Sequence, residues 1–176
     1  MPCTISSGYT IGCLDGIGGI KAIYIGAADA VDMPSLADFE VDSSTKLVDA
    51  VTAISVYKFE LKRELSNMEV TTTRDGNSGT SFDEQNISCV FLKPTIEQYD
   101  TLVSLGQGRK NIFVEDNDGQ VYLLGAAQGM DLTTGAYSTG TGYGDAKGFT
   151  LSMTAREIRT YWCAPIAGIA GVTVAG

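Results

Sequence analysis

The sequence predicts a mainly β fold, an antiparallel β-sandwich or barrel with one flanking α-helix and long arms. Three observations predict it. Apolar and polar residues alternate with a period of two in several segments. Glycine, at 21 of 176 residues, clusters between those segments rather than inside them. One segment alone carries a helical period. At 18.6 kDa and 44% hydrophobic residues the chain can bury one sizeable core, so residues 1–176 read as a single domain.

The elements follow in chain order. The N-terminal arm, residues 1–20, is glycine-rich, and Lys21 to Ile25 reads as the first strand. Gly16-Ile17-Gly18-Gly19 lacks the third glycine of a dinucleotide fingerprint and the Lys-Ser/Thr of a phosphate loop, so it reads as a turn. Asp29 to Asp49 is acidic, contains Pro34 and reads as a loop. Ala53 to Arg63 alternates, with Ala53, Ser55, Tyr57, Phe59 and Leu61 on one face; Lys58, Glu60 and Lys62 share the other with Ile54 and Val56. Glu69 to Thr73 and Ile87 to Leu92 flank the turn cluster Asp75-Gly76-Asn77-Ser78-Gly79, which gives a hairpin projecting over residues 67–86.

Pro94-Thr95-Ile96-Glu97-Gln98 is a helix start in which Thr95 and Gln98 can form a capping box. Ile96, Tyr99, Leu102, Val103 and Leu105 then share a face expected to pack on the sheet, and Gly106 suits a left-handed stop. Asn111 to Glu115 and Gln120 to Leu124 flank the hairpin turn Asp116-Asn117-Asp118-Gly119. A calcium loop opening at Asp116 would place Ala127 where a glutamate is needed, so no metal is expected there. Residues 125–148 read as a glycine-rich loop. Phe149 to Arg156 is the cleanest alternation of all. The C-terminal arm, residues 161–176, is apolar and uncharged and is expected to cover a sheet edge or to add to a neighbouring subunit.

Charge and composition exclude several functions. Twelve Lys and Arg against 21 Asp and Glu give a net charge of -9, which disfavours adhesive binding to phosphate backbones. The chain has no histidine, and so lacks the commonest general base and zinc ligand. Cys3, Cys13, Cys89 and Cys163 lack paired spacing; they read as buried thiols, with a bridge within the N-terminal pair or to Cys163 left open. Ser43-Ser44-Thr45-Lys46 lies in an expected loop and does not form a Ser-Lys nucleophile pattern. Asp116, Asp118, Asp131 and Asp145 are available for carboxylate chemistry, but each falls where turn geometry alone favours Asp. Neither an enzyme nor a cofactor site is expected. The N-terminus shows no signal-peptide pattern, and the longest apolar run, Pro165 to Val174, is broken by Gly168 and Gly171, so no membrane partner is expected.

The order of elements carries a resemblance. A threonine-rich hairpin and one helix precede NIFVEDNDGQVYLLG at 111–125, GMDLTTG at 129–135, GTGYGDAKG at 140–148 and a last strand ending at Glu157. With the opening MPCTISSGYTIGCLDGIGGIK, this resembles the tail tube and related structural virion proteins of tailed bacteriophages. The resemblance implies a homo-oligomer in which six subunits close into a ring. Rings stack into a tube within the virion tail, assembled in the host bacterial cytoplasm, and viral DNA passes through as unbound cargo during ejection. Other tail or neck proteins would be its further partners. It also implies inter-subunit arms at Ala27 to Asp49 and Tyr161 to Gly176. The implied contacts are Glu69, Thr72, Asp75, Gly76, Asn77 and Phe82 in the hairpin, and Trp162, Pro165, Ile166, Ile169, Val172 and Val174 in the C-terminal arm. Competing readings are a head-tail connector, tail terminator or capsid-decorating protein, a monomeric β-barrel ligand-binding module and, last, an acid-dependent hydrolase.

Overall fold

The computed structural model describes residues 16–26 and 39–175. Over these the chain forms eleven strands and one α-helix, as a sandwich-like mixture of two sheets. The expected β fold with a single helix is what the chain adopts. Cys3, Cys13 and most of the N-terminal arm lie outside the described residues, as do residues 27–38.

The first sheet contains β1 (Ile20–Gly26), β2 (Phe39–Val41), β3 (Val48–Glu60), β6 (Ile112–Asp116), β7 (Val121–Leu124), β10 (Tyr161–Cys163) and β11 (Ala170–Ala175). Its pairings run β1–β6–β7–β10–β3 and return to β1, so five strands close on themselves as a small barrel. Closure between β10 and β3 is short, a parallel bridge of Cys163 with Val48 and the Ala164 N–H donated to the Val48 carbonyl at 2.9 Å. The second sheet is antiparallel, in the order β4 (Asn67–Asp75), β5 (Thr80–Leu92), β9 (Gly148–Glu157), β8 (Asp131–Ser138).

Two cores result, and they share a wall. Ala22 and Tyr24 of β1 and Phe113 of β6 fill the barrel with Val48, Val51, Ile54, Val56, Val121 and Leu123. The alternate residues Ile23, Ile25, Ile112 and Val114 face the second sheet, meeting Ile87, Cys89, Leu151 and Met153. Period-two alternation sends successive side chains to opposite faces, so strands that are apolar at every position must be buried on both. Burial pushes the thiols of Cys89 and Cys163 up to about 12, which leaves them protonated and unreactive in the fold.

One mouth of the barrel is closed by charge. The Glu115 carboxylate accepts from Lys21 Nζ and from Tyr24 Oη (2.8 Å), beside a Lys58–Glu60 ion pair at 2.8 Å. Burial opposes ionisation of Glu115, but the hydrogen bonds from Lys21 and Tyr24 outweigh it and hold the carboxyl below its usual range. For Tyr24, burial and then the Glu115 carboxylate push the phenol up to about 12.

Five expectations are corrected. Residues 125–148 are not one loop, because β8 occupies Asp131–Ser138. Glycine hid the strand: a Cβ at Gly135 would stand 3.1 Å from the Phe149 ring, so the residue is small to admit an aromatic from β9. The acidic loop gives way to β2 at Phe39, and β3 begins at Val48 rather than Ala53. On β3 the buried residues include Ile54 and Val56, on the face shared with Lys58 and Glu60; those charges lie at the barrel mouth, where the strand leaves the core. In the helix α1 (Ile96–Ser104) the Thr95–Gln98 capping box is present, with Leu102 and the following Leu105 buried. Ile96, Tyr99 and Val103 are exposed, however, so the apolar stripe is only half used. Gly106 does not adopt a left-handed conformation; it leaves room for Leu132, whose Cδ2 would lie 2.5 Å from a Cβ there.

Of the two expectations for the C-terminal arm, the structure takes the first, since the arm covers a sheet edge. β10 and β11 pair with strands of their own chain, β11 running parallel to β3 from Ala170↔Ala50 to Ala175↔Tyr57, and the sheet is therefore mixed rather than antiparallel. An uncharged segment gains more by completing the barrel wall than by extending into water. At the register shift, Gly171 has φ +87, and a Cβ would sit 1.9 Å from the Val51 carbonyl oxygen.

Two outcomes follow for stability. Gly171→Ala should destabilise by about 2–3 kcal/mol and lower Tm by about 5–10 °C, while Gly144→Ala, which meets nothing, leaves Tm within about 2 °C; calorimetry checks both. Because the folded Glu115 carboxyl is depressed, its contribution is present above the unfolded value and is lost as pH falls through the folded one. Glu115→Gln should therefore lower Tm most near neutrality, the difference from wild type shrinking towards pH 3; a constant difference would contradict the arrangement.

Candidate subunit interface

The second sheet turns one face to the barrel and the other to solvent. Its inward positions (Met68, Val70, Ile87, Cys89, Leu132, Phe149, Leu151, Met153) pack on the barrel. The outward positions follow from the registers Asn67↔Ser88, Glu69↔Asn86 and Thr71↔Glu84, then Ser88↔Ser152, Asn86↔Thr154 and Glu84↔Arg156, then Thr154↔Asp131, Ser152↔Thr134 and Thr150↔Ala136. This face is paved with small hydroxyl and amide side chains. Ser88 and Ser152 hydroxyls lie 3.3 Å apart, and Arg156 Nη2 donates to Glu84 Oε1 at 3.3 Å. Three carboxylates (Glu69, Glu84, Asp131) and one guanidinium (Arg156) sit at outward strand positions, with Arg109 reaching Asp131 from outside the strands at 3.1 Å.

Among the described residues both margins of this sheet are open: β4 pairs with β5 alone and β8 with β9 alone, and both strands are exposed along most of their length. Neither contains lysine or proline, the residues that usually protect an edge. β8 has a register shift near Leu132/Thr134 and runs regularly beyond it. Because four strands alternate in direction, β4 and β8 run opposite ways. A copy joined head to tail therefore places its β4 antiparallel to β8, and the sheet continues without a change of pattern.

The sheet is anchored to the barrel by buried polar groups. Gln85, fully buried, accepts from the Gly125 N–H at 2.9 Å and donates to Thr160 Oγ1 at 2.8 Å. Glu157 Oε1 accepts from the N–H groups of Ala127 (3.0 Å) and Gln128 (2.8 Å). These bonds fix the loop that leads into β8, and so the edge itself.

The residues expected at contacts are dispersed. Glu69 lies on the outward face of β4, whereas Thr72 faces inward and donates to Asp83 Oδ1 at 2.7 Å. Asp75, Gly76 and Asn77 form the hairpin tip, where Asp75 Oδ1 accepts from the Asn77 N–H. Phe82 lies opposite Thr73 and is half-buried. The β5–β9 pairing reaches Asp83, so only about residues 73–82 overhang the sheet and most of the expected arm is built into it. Ile166 and Ile169 are turned into the barrel core and are spent within the chain. Val172 is half-buried opposite Ile54; Val174, Pro165 and Trp162 are exposed, Trp162 with its ring edge-on to Tyr122. The hydroxyl-paved face was missed by sequence reasoning, although Thr150, Ser152 and Thr154 carry its signal: a strand whose polar face is a run of hydroxyls up to Arg156.

The carboxylates weighed for chemistry are each engaged. Asp116 Oδ1 accepts from the N–H groups of Asp118 and Gln120, Asp118 Oδ1 accepts from Ile17 N–H, and Asp131 holds Arg109. Asp145 Oδ2 accepts from Thr141 and Gly142 N–H at 2.8 and 2.7 Å, which lowers its pKa. A separate open groove of about 1230 Å³ lies between β3, the end of β5, the helix and β11, lined by Tyr57, Phe59, Phe91, Leu92 and Val174.

No family model matches the sequence, and no curated protein matches it at a significant level. Among solved structures, a chain described as "Virion of native gene transfer agent (GTA) particle" aligns with 61% of this chain and 89% of its own, at 11% identity and a TM-score of 0.41.

Proposed function

We propose that this chain is a structural virion protein, the tail tube subunit of a tailed bacteriophage, which joins copies of itself into rings that stack around a lumen. The observation that carries the reading is the four-stranded sheet with two open margins, alternating strand direction and a polar outer face of mainly hydroxyl and amide side chains. Joining β8 of one copy to β4 of the next removes both edges at once, which full closure alone achieves.

Six copies would contribute about 24 strands. At about 4.8 Å spacing and about 40° tilt they enclose a barrel roughly 48 Å across its backbone, wide enough for a DNA duplex. Its lining would be the hydroxyl-paved face. With three carboxylates against one guanidinium at the outward strand positions, that lining repels a phosphate backbone, so DNA slides as cargo and is not gripped. The overhanging hairpin would contact a neighbouring copy.

Electron microscopy of the concentrated protein tests the reading. Wild type should give rings or cylinders, while Thr71→Lys/Thr73→Lys, which places charge on the exposed β4 edge, should stay monomeric with Tm unchanged within about 2 °C. Uniform wild-type monomers at high concentration would contradict it. A single ring that never stacks would favour a terminator, and a monomer stabilised by a small ligand would favour a binding module seated in the open groove.

A further inference from the structure

The helix α1 lies along one open margin of the second sheet. Its Tyr99 ring meets Tyr137 of β8 and Phe149 of β9 edge-on, each at 5.8 Å, and Gly106 leaves the space that Leu132 of β8 enters. Tyr137 and Leu132 are inward residues of β8, opposite Phe149 and Met153. Contacts at 99–137 and 106–132 therefore set the helix antiparallel to β8, on its inward side. The two flanks of the helix face different ways. Glu97, Gln98 and Thr101 border the open groove beside the end of β5, while Leu102 is buried. Ile96, Tyr99 and Val103 share the other flank at helical spacing and, with Tyr137, stand 39% to 83% exposed. Single exposed apolar residues need no explanation, but four adjoining ones along a strand margin form a patch.

The opposite margin carries a matching row. On β4 the inward positions are Met68, Val70, Thr72 and Arg74. Met68 and Val70 pack on the core from one side only and are half-buried. Among the described residues the exposed Arg74 guanidinium has no ion-pair partner, and α1 has no basic residue in its last turn.

Resting on the ring reading above, we propose that α1 is part of the joint between copies, its exposed flank receiving the inward row of β4 from the next copy. A strand added to β8 sets its inward side chains over whatever lies beneath that margin, and α1 lies there. Antiparallel pairing of the two edges over their full length places Met68 of the next copy opposite Tyr137, and Val70 opposite Gly135. All four are inward positions, so the register is consistent with both cores. The Met68 thioether then meets the rings of Tyr137 and Tyr99, a favourable contact for sulfur. Val70, opposite a residue without a side chain, reaches down to Val103. In this register β4 runs parallel to α1, so Arg74 arrives at the C-terminal end of the helix, where a cation is favoured. Backbone edges alone would accept any exposed strand; the apolar row and its terminal charge select β4 and fix where it sits.

Charge on the helix flank tests this contact separately from the ring. Val103→Asp should leave Tm within about 2 °C of wild type, while the concentration at which rings form rises at least about tenfold. Thr101→Asp, on the flank that borders the groove, should form rings at the wild-type concentration. In a Cys3→Ser/Cys13→Ser background, Val70→Cys with Val103→Cys should yield a ladder of covalent oligomers with a short bis-maleimide, and either cysteine alone no more than a dimer. Rings at the wild-type concentration from Val103→Asp, an equal loss in Thr101→Asp, or no ladder where rings form would overturn the contact and leave the ring reading standing. Absence of rings from the wild type would overturn the ring reading, and the contact with it.

Discussion

The structure depends on a wall that is buried from both sides. β1 and β6 lie side by side, sending Ala22, Tyr24 and Phe113 into the barrel and Ile23, Ile25, Ile112 and Val114 into the space between barrel and second sheet. A strand pair in that position cannot slip by one residue, because a slip would exchange two sets of side chains already matched in size to different cavities. The wall therefore fixes the register of the barrel and the seat of the second sheet together. Packing at this density transmits a change in either core to the other.

Much of this was legible in the residues. Ile20 to Ile25 and Ile112 to Val114 are nearly continuous apolar runs, the signature of strands covered on both faces. The Thr95–Gln98 capping box and the Asp116-Asn117-Asp118-Gly119 turn are local chemistry, and local chemistry reads directly from sequence. What escaped were features set by distant partners. β8 carries only Leu132 and Tyr137 as large apolar residues on its inward face, and exists because β9 offers a ladder and Gly135 makes room for Phe149. The fate of the C-terminal segment turned on Gly171, whose lack of a Cβ lets β11 approach Val51, and nothing nearby in the chain announces that contact. The half-used stripe of α1 has the same origin: spacing gave the face but not how much sheet lay beneath it.

The candidate interface shows a related asymmetry. Hairpin and tail were the natural places to look for contacts, since polar arms and uncharged ends stand out in a sequence. The structure instead spends Ile166 and Ile169 on the barrel and leaves open two plain, threonine-rich edges. An unpaired edge has no residue signature; it is a property of the sheet, visible only once every strand has its neighbours. The net charge of -9 fits the same arrangement, with the outward face of that sheet keeping a small excess of carboxylate among hydroxyls.

The central claim is that the margins of the second sheet are the surfaces by which copies join. Backbone amide hydrogen exchange, followed from dilute monomer to concentrated protein, measures it most directly, since unpaired edge amides exchange quickly and paired ones slowly. The account predicts that protection rises in β4 (Asn67–Asp75) and β8 (Asp131–Ser138) together, while the β1–β6 wall, protected from the start, does not change. Assembly that leaves both edges exchanging as in the monomer would contradict it.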